Sequence, residues 1–210
     1  MTATHPDTAA PGIAAHRSAA GVSRAPVRSD ARGCPINSRS QAAIDHVEKA
    51  TWRLLSYFGD PVVDLDAAIA EDPAWIMPHL MKANALLSMT EHRFAAMARE
   101  TVDQGVALNA GRGMQAREQA HLAATEACLA GEWDAACEAW ERLLVEQPRD
   151  LAALIPAHLF DFFRGDSLNL RKRIARVLPA WSADRHWIWK PGSWRLRPFQ
   201  TSPMCSTCKR

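Results

Sequence analysis

Residues 131–150 read GEWDAACEAWERLLVEQPRD, and the Gly-acid pair that opens them, Gly131-Glu132, recurs 34 residues later as Gly165-Asp166. Each time, the pair lies between two runs in which apolar residues return every three or four positions. Such runs are typical of amphipathic helices, and glycine commonly stands where one helix ends and the chain turns. A helix, a turn and a second helix, repeated about every 34 residues, is the period of a tetratricopeptide unit. The interval therefore predicts an array of helix pairs.

The helix that follows Gly131 carries the packing positions that such a unit requires. Pro148 stands where proline ends the second helix, which puts Ala136 at the small crossing position and Trp140 at the aromatic position. In the next unit Leu170 and Ile174 take the packing positions. The alternative is a non-repeating helical bundle, which would show the same periodicity and one coincidental echo.

Helical periodicity begins near residue 40, and no convincing strand pattern interrupts it. The first helix is predicted to end near Gly59, and Asp60 and Pro61 then form an N-cap and first position for a short second helix. The sequence predicts an all-α fold, a tetratricopeptide-like α-solenoid of antiparallel helix pairs over residues 40–184. Residues 1–39 are predicted to be a disordered N-terminal segment and residues 185–210 a basic, Trp-rich tail that is irregular.

Charge is unevenly distributed along the chain. Residues 1–40 hold five arginines and two aspartates, residues 185–210 hold six basic residues and no acidic ones, and residues 41–184 hold 14 basic and 21 acidic residues. An acidic body argues against a nucleic-acid partner, which would need a basic face on the folded part. No apolar run is long enough for a membrane span, and five cysteines in no disulfide framework favour a cytoplasmic location.

Residues 34–184 resemble the tetratricopeptide repeat protein 38 family in its bacterial form. That family opens roughly with L-P-L-S-T-S-S, continues with G-D-P and a short helix ending D-P, and later reads H-x-x-D, R-G-D, N-L-R-D-R and L-P-A-W. The matching positions are Pro35-Ile36-Asn37-Ser38, Gly59-Asp60-Pro61, His158, Asp161, Gly165-Asp166, Asn169-Leu170-Arg171 and Pro179-Ala180-Trp181. The resemblance implies an α-solenoid in an intracellular protein, and it supplies no catalytic residues.

The chain departs from this resemblance after Asp184. Family members continue with many more helices, whereas this chain ends in RHWIWKPGSWRLRPFQTSPMCSTCKR. We interpret the tail as a shifted reading frame or a truncation, and a native basic-aromatic tail is the alternative. The last predicted helix would then lack a polar capping helix. Its apolar residues predict self-association with another copy, through Leu168, Leu170, Ile174, Val177 and Leu178.

Few side chains in the sequence form a pattern that could carry chemistry. Cys205 and Cys208 make a CxxC, but no second pair exists to complete a zinc site, and no cofactor is predicted. His158 and Asp161 lie three residues apart on one helical face and could form an acid–base pair. The basic run at 170–176 is interpreted as a solvated helix face.

The first helix of each pair in a solenoid lines a concave surface that binds an extended peptide or a partner helix. The register set by Pro148 predicts a partner-binding groove at Asn84, Glu118, His121, Thr125, Leu159 and Phe162. We therefore expect a non-catalytic protein-interaction scaffold with a protein or peptide partner, from a truncated family member. Two alternatives remain open, namely an enzyme built on the pair His158 and Asp161, and a non-functional fragment.

Overall fold

The structure is a computed structural model that describes residues 28–182, and this part of the chain is mostly helical. Its helices are α1 (Gln41–Ser56), α2 (Pro61–Glu71), α3 (Ile76–Leu87), α4 (His92–Asn109), α5 (Ala116–Leu129), α6 (Trp133–Glu146), α7 (Leu151–Phe163) and α8 (Ser167–Ser182). Two short strands, β1 (Arg28–Ser29) and β2 (Pro35–Ile36), pair antiparallel ahead of the helices. The all-α class is thus confirmed for the described residues.

The helix ends follow from local chemistry that the sequence displays. Ser40 caps α1 by accepting a hydrogen bond from the backbone N–H of Ala43. Asp60 caps α2 in the same way, and Pro61 stands at the first helical position, as predicted. Gly131 and Gly165 have positive φ values of 81° and 69°. Glycine recurs after 34 residues because both turns need this left-handed conformation, which costs other residues energy.

Helices adjacent in sequence pack against each other, α1 on α2, α3 on α4, α5 on α6 and α7 on α8. The odd-numbered helices also contact one another: α3 contacts α5 and α7, and α1 contacts α7. Because α1 touches α7, the inner side chains of the odd-numbered helices pack against one another and do not line an open groove.

Two apolar clusters hold the helices together. The first joins Ile36 to residues of α1–α4, and the second lies among α5–α8. Ala136 and Trp140, predicted at the small and aromatic positions, are fully buried, and the Trp140 ring stacks on Phe160 at a centroid distance of 5.9 Å. Ile174, predicted at a packing position of the next unit, is instead exposed.

The region before α1 differs from the predicted disordered segment. Residues 28–39 form the β1–β2 hairpin and an extended stretch in which Ile36 joins the first apolar cluster. Arg32 is bound by Asp30 and Glu48, and this gives the hairpin a charged anchor on α1. The remaining residues of that prediction, 1–27, lie outside the described part of the chain, as does the predicted tail at 185–210.

Candidate functional site

The predicted partner-binding groove does not form an open surface. Glu118, His121 and Thr125 are each 0% exposed, and Asn84 is also buried. The prediction that these four side chains face a partner is therefore wrong for the chain as it is folded. The physical reason is that α1 meets α7 across the odd-numbered helices and that residues 34–39 cover the start of α5.

The two other predicted groove residues lie on α7. Leu159 is half-buried, and Phe162 is 65% exposed and touches the ring of Phe163 edge-on. Only Phe162 of the six presents most of its side chain outward. The structure thus does not bring the six residues together on one accessible surface.

A buried ionic cluster centred on Asp150 occupies the place where the groove was expected. The Asp150 carboxylate accepts hydrogen bonds from Arg117 Nε at 2.7 Å and Nη2 at 2.8 Å, and its Oδ2 lies 2.9 Å from His121 Nε2. Asp150 also caps α7 by accepting a hydrogen bond from the N–H of Ala152. One carboxylate therefore joins α5 to the beginning of α7.

The surroundings of Asp150 decide its charge. Burial is the largest single influence and by itself would raise the pKa of Asp150, but the contacts from His121 and Arg117 outweigh it. Together they hold that pKa well below its usual range. The same pairing raises the pKa of Arg117 although burial opposes it. Arg117 and Asp150 thus form an ion pair with side chains 6% and 0% exposed, and removing either partner would leave the other charge buried and uncompensated.

Residues 34–39, which we name the strap, bind the loops that precede α3 and α5. Ser38 Oγ donates to Asp72 Oδ2 at 2.6 Å, and Asn37 Nδ2 donates to the Gly113 carbonyl at 2.9 Å and to Glu118 Oε2 at 3.0 Å. Arg112 Nη1 donates to the Asn37 carbonyl at 3.0 Å. The strap therefore supplies the polar partners that cover the inner side chains.

His158 and Asp161 do not form the acid–base pair that the enzyme alternative requires. Asp161 is fully buried and accepts hydrogen bonds from Arg164 at 2.7 Å and from Arg173 Nε at 2.8 Å. His158 is half-buried, and its Nδ1 has no hydrogen-bond partner among the described residues. A buried aspartate needs compensating positive charge, and two guanidinium groups supply it here.

The basic run at 170–176 is more than the solvated face that the sequence suggested. Arg173 is only 3% exposed, and Arg173 and Arg176 both bind Glu141 of α6. These ion pairs tie α8 to α6 and α7. The three-residue spacing of Asp161 and Arg164 indicates an ion pair at the end of α7, but no local spacing predicts that Arg173 of α8 joins it.

The described residues contain no group of three or more histidine, cysteine or acidic side chains placed to hold a metal ion. Cys34, Cys128 and Cys137 are free and buried, and burial raises the pKa of each thiol to about 12. Cys205 and Cys208 lie outside the described residues. Between residues 28 and 182, no helix has the length and apolar character needed to cross a membrane.

The accessible feature that stands out is a patch of large apolar side chains around the α1–α2 turn. We name it the α1–α2 patch, and its members are Trp52, Leu55, Tyr57, Phe58 and Val63, which are between 51% and 88% exposed. The Trp52 and Phe58 rings contact each other edge-on at 6.2 Å. Leu55 and Phe58 share the three-to-four spacing of the buried residues of α1, so helical periodicity alone does not separate them from the core.

No protein-family model matches the chain, and no solved structure matches it.

Proposed function

We propose that the chain is a tetratricopeptide-like α-solenoid that acts as a non-catalytic protein-interaction scaffold. The support for the fold is the pairing of successive helices, with glycine turns 34 residues apart at Gly131 and Gly165. The buried positions of Ala136 and Trp140 agree with the packing roles of such a unit. The resemblance of residues 34–184 to the tetratricopeptide repeat protein 38 family supports the same proposal.

The α1–α2 patch is the observation that carries the interaction role. Trp52 and Phe58 are in ring contact, and exposed Leu55, Tyr57 and Val63 lie within five residues of Phe58 along the chain; clustered apolar exposure of this kind marks binding surfaces. Of the seven acidic residues in 41–72, Glu48, Asp64, Asp66 and Asp72 are ion-paired with lysine or arginine, so the patch is defined by its apolar side chains and not by a free negative charge. The partner that fits is a protein segment that presents large apolar side chains.

Site-specific photo-crosslinking in the cells that make the protein tests this proposal. A benzophenone amino acid replaces Val63, which is 63% exposed within the patch. In the matched control the benzophenone amino acid replaces Val106, an exposed valine of α4 outside the patch. A discrete crosslinked protein at position 63 that is missing at position 106 supports the scaffold. The same diffuse products from both positions would contradict it.

Self-association through α8 is a second way in which the scaffold engages a protein. Leu168, Ile174 and Leu178 are exposed, whereas Val177 is buried and Leu170 half-buried. The contact surface is therefore narrower than the sequence predicted, and it comprises those three exposed residues. The cytoplasmic location and the absence of a nucleic-acid partner remain predictions from composition, which cell fractionation and a nucleic-acid binding assay check.

A further inference from the structure

The strap crosses successive inter-helix loops in order. Ser38 binds Asp72 before α3, and Asn37 binds Gly113 and Glu118 at the beginning of α5. Farther along, the Pro35 carbonyl accepts a hydrogen bond from Arg117 Nη1 at 3.3 Å, and Arg117 is held by Asp150 before α7. These contacts form a continuous polar track across the starts of three helices.

The strap occupies this track in the manner of an extended peptide ligand. Its burial alternates, with Cys34, Ile36 and Ser38 buried and the residues between them more exposed. Such alternation with a period of two is typical of extended backbone. The track therefore recognises an extended chain by contacts with the side chains of Asn37 and Ser38 and by hydrogen bonds to backbone carbonyls.

The strap leaves one buried oxygen of the track without a hydrogen bond. Glu118 Oε2 accepts from Asn37 and from the backbone of Gln115, but Glu118 Oε1 is buried and has no hydrogen-bond partner among the described residues. The Asn37 amide cannot help, because its two N–H groups already serve Gly113 and Glu118 Oε2.

Charge gives a second reason to regard the track as incompletely filled. Its carboxylates are Asp72, Glu118 and Asp150, and its guanidinium groups are those of Arg112 and Arg117. Arg112 pairs with Asp72 and Arg117 with Asp150; Arg112 also interacts electrostatically with Glu118, but neither guanidinium of the track donates a hydrogen bond to the Glu118 carboxylate. A lysine or arginine at the position of Asn37 would bring both the charge and the additional donors.

We propose that the track is a binding site for an extended peptide that carries a basic residue where the strap has Asn37, and that the strap occupies this site in cis. The proposal rests on the scaffold function, since it adds a partner class to it. A tethered strap competes with a free peptide at a high effective concentration, so binding in trans is expected to be weak until the strap is loosened.

The test uses the full chain and fluorescent peptides in an anisotropy titration. The parent peptide has the sequence of residues 33–39 with serine in place of Cys34, and the second peptide also has lysine in place of Asn37. The protein carries Ser38→Ala, which removes the hydrogen bond to Asp72 and is expected to raise the fraction of released strap about fivefold. The lysine peptide should bind this variant about tenfold more tightly than the parent peptide. The further change Glu118→Gln should abolish that preference.

Strap release is measured independently through thiol alkylation. Cys205 and Cys208 are replaced with serine, and labelling of Cys34 is compared by mass mapping with that of the buried Cys128 and Cys137. Burial raises the pKa of all three thiols to about 12, so exposure accelerates labelling of a thiol both by giving access to it and by lowering that pKa. Ser38→Ala should accelerate labelling of Cys34 alone. If the Ser38→Ala chain loses helical circular dichroism, Asn37→Ala takes its place, since it loosens the strap at another loop.

Two results overturn the proposal. One is labelling of Cys34 in step with Cys128 and Cys137 in every variant, because the strap is then part of the global fold. The other is equal binding of the lysine and parent peptides to a folded, strap-loosened chain. Neither result bears on the scaffold itself, since photo-crosslinking at Val63 probes the α1–α2 patch without the track.

Discussion

Removing the Asp150 carboxylate should destabilise the protein more than any ordinary helix cap would. In Asp150→Ala the guanidinium of Arg117, whose side chain is 6% exposed, is left buried without its counter-charge. Breaking a buried ion pair from one side costs about 3–5 kcal/mol, and loss of an N-cap about 1 kcal/mol. The two losses come from one side chain and do not add fully, so we expect about 4 kcal/mol and a fall in Tm of about 12 °C.

The matched control is Asp60→Ala, which also removes an aspartate N-cap. Asp60 is exposed and caps α2 through the N–H of Val62, with no buried arginine behind it. Urea unfolding followed by circular dichroism gives the free energy of unfolding of both variants, and we expect about 1 kcal/mol for Asp60→Ala. If Asp150→Ala costs no more than Asp60→Ala, the reasoning about the buried pair is refuted. Asp150→Asn serves as a milder substitute should Asp150→Ala fail to fold.

Three further predictions concern Asp150, Gly105 and Leu178. The pKa of Asp150 in the folded protein lies below its unfolded value of about 3.9. The ionised carboxylate therefore stabilises the fold above about pH 3.9, and this contribution is lost as the pH falls toward the folded pKa. The free energy of unfolding of Asp150→Ala should depend less steeply on pH in this acid range than that of the unmodified protein. Gly105→Ala should cost about 1–3 kcal/mol in urea unfolding, since a Cβ there would lie 2.8 Å from the buried His79, whereas Gly111→Ala, which meets nothing within 4 Å, should be close to neutral. Leu178→Glu should abolish any dimer that light scattering detects, and a dimer that survives it would exclude the α8 surface.

Local features of the fold could be predicted from the sequence because they depend on neighbouring residues. The cap at Asp60 and the turns at Gly131 and Gly165 are of this kind. The separation of Trp140 from Pro148 put it at the aromatic position of a repeat unit, and the structure buries it. These elements needed no knowledge of distant contacts.

The candidate site could not be predicted because its contacts are remote in sequence. Asn37 and Glu118 are 81 residues apart, and Arg117 and Asp150 are 33 apart. Periodicity shows that Glu118 and His121 share a face of α5, but an open polar groove and a buried polar network have the same periodicity. The contact of α1 with α7 decides between them, and no residue pattern within either helix predicts that contact.

The most direct test of the scaffold account is calorimetric titration of the partner identified by crosslinking against two phenylalanine variants. Phe58 in the α1–α2 patch is 67% exposed, and Phe162, one of the groove residues predicted from the sequence, is 65% exposed, so the two sites are matched in residue type and exposure. The account predicts that Phe58→Ser weakens binding about tenfold or more and that Phe162→Ser leaves Kd unchanged within about twofold. The reverse result, with binding lost in Phe162→Ser and retained in Phe58→Ser, would contradict it.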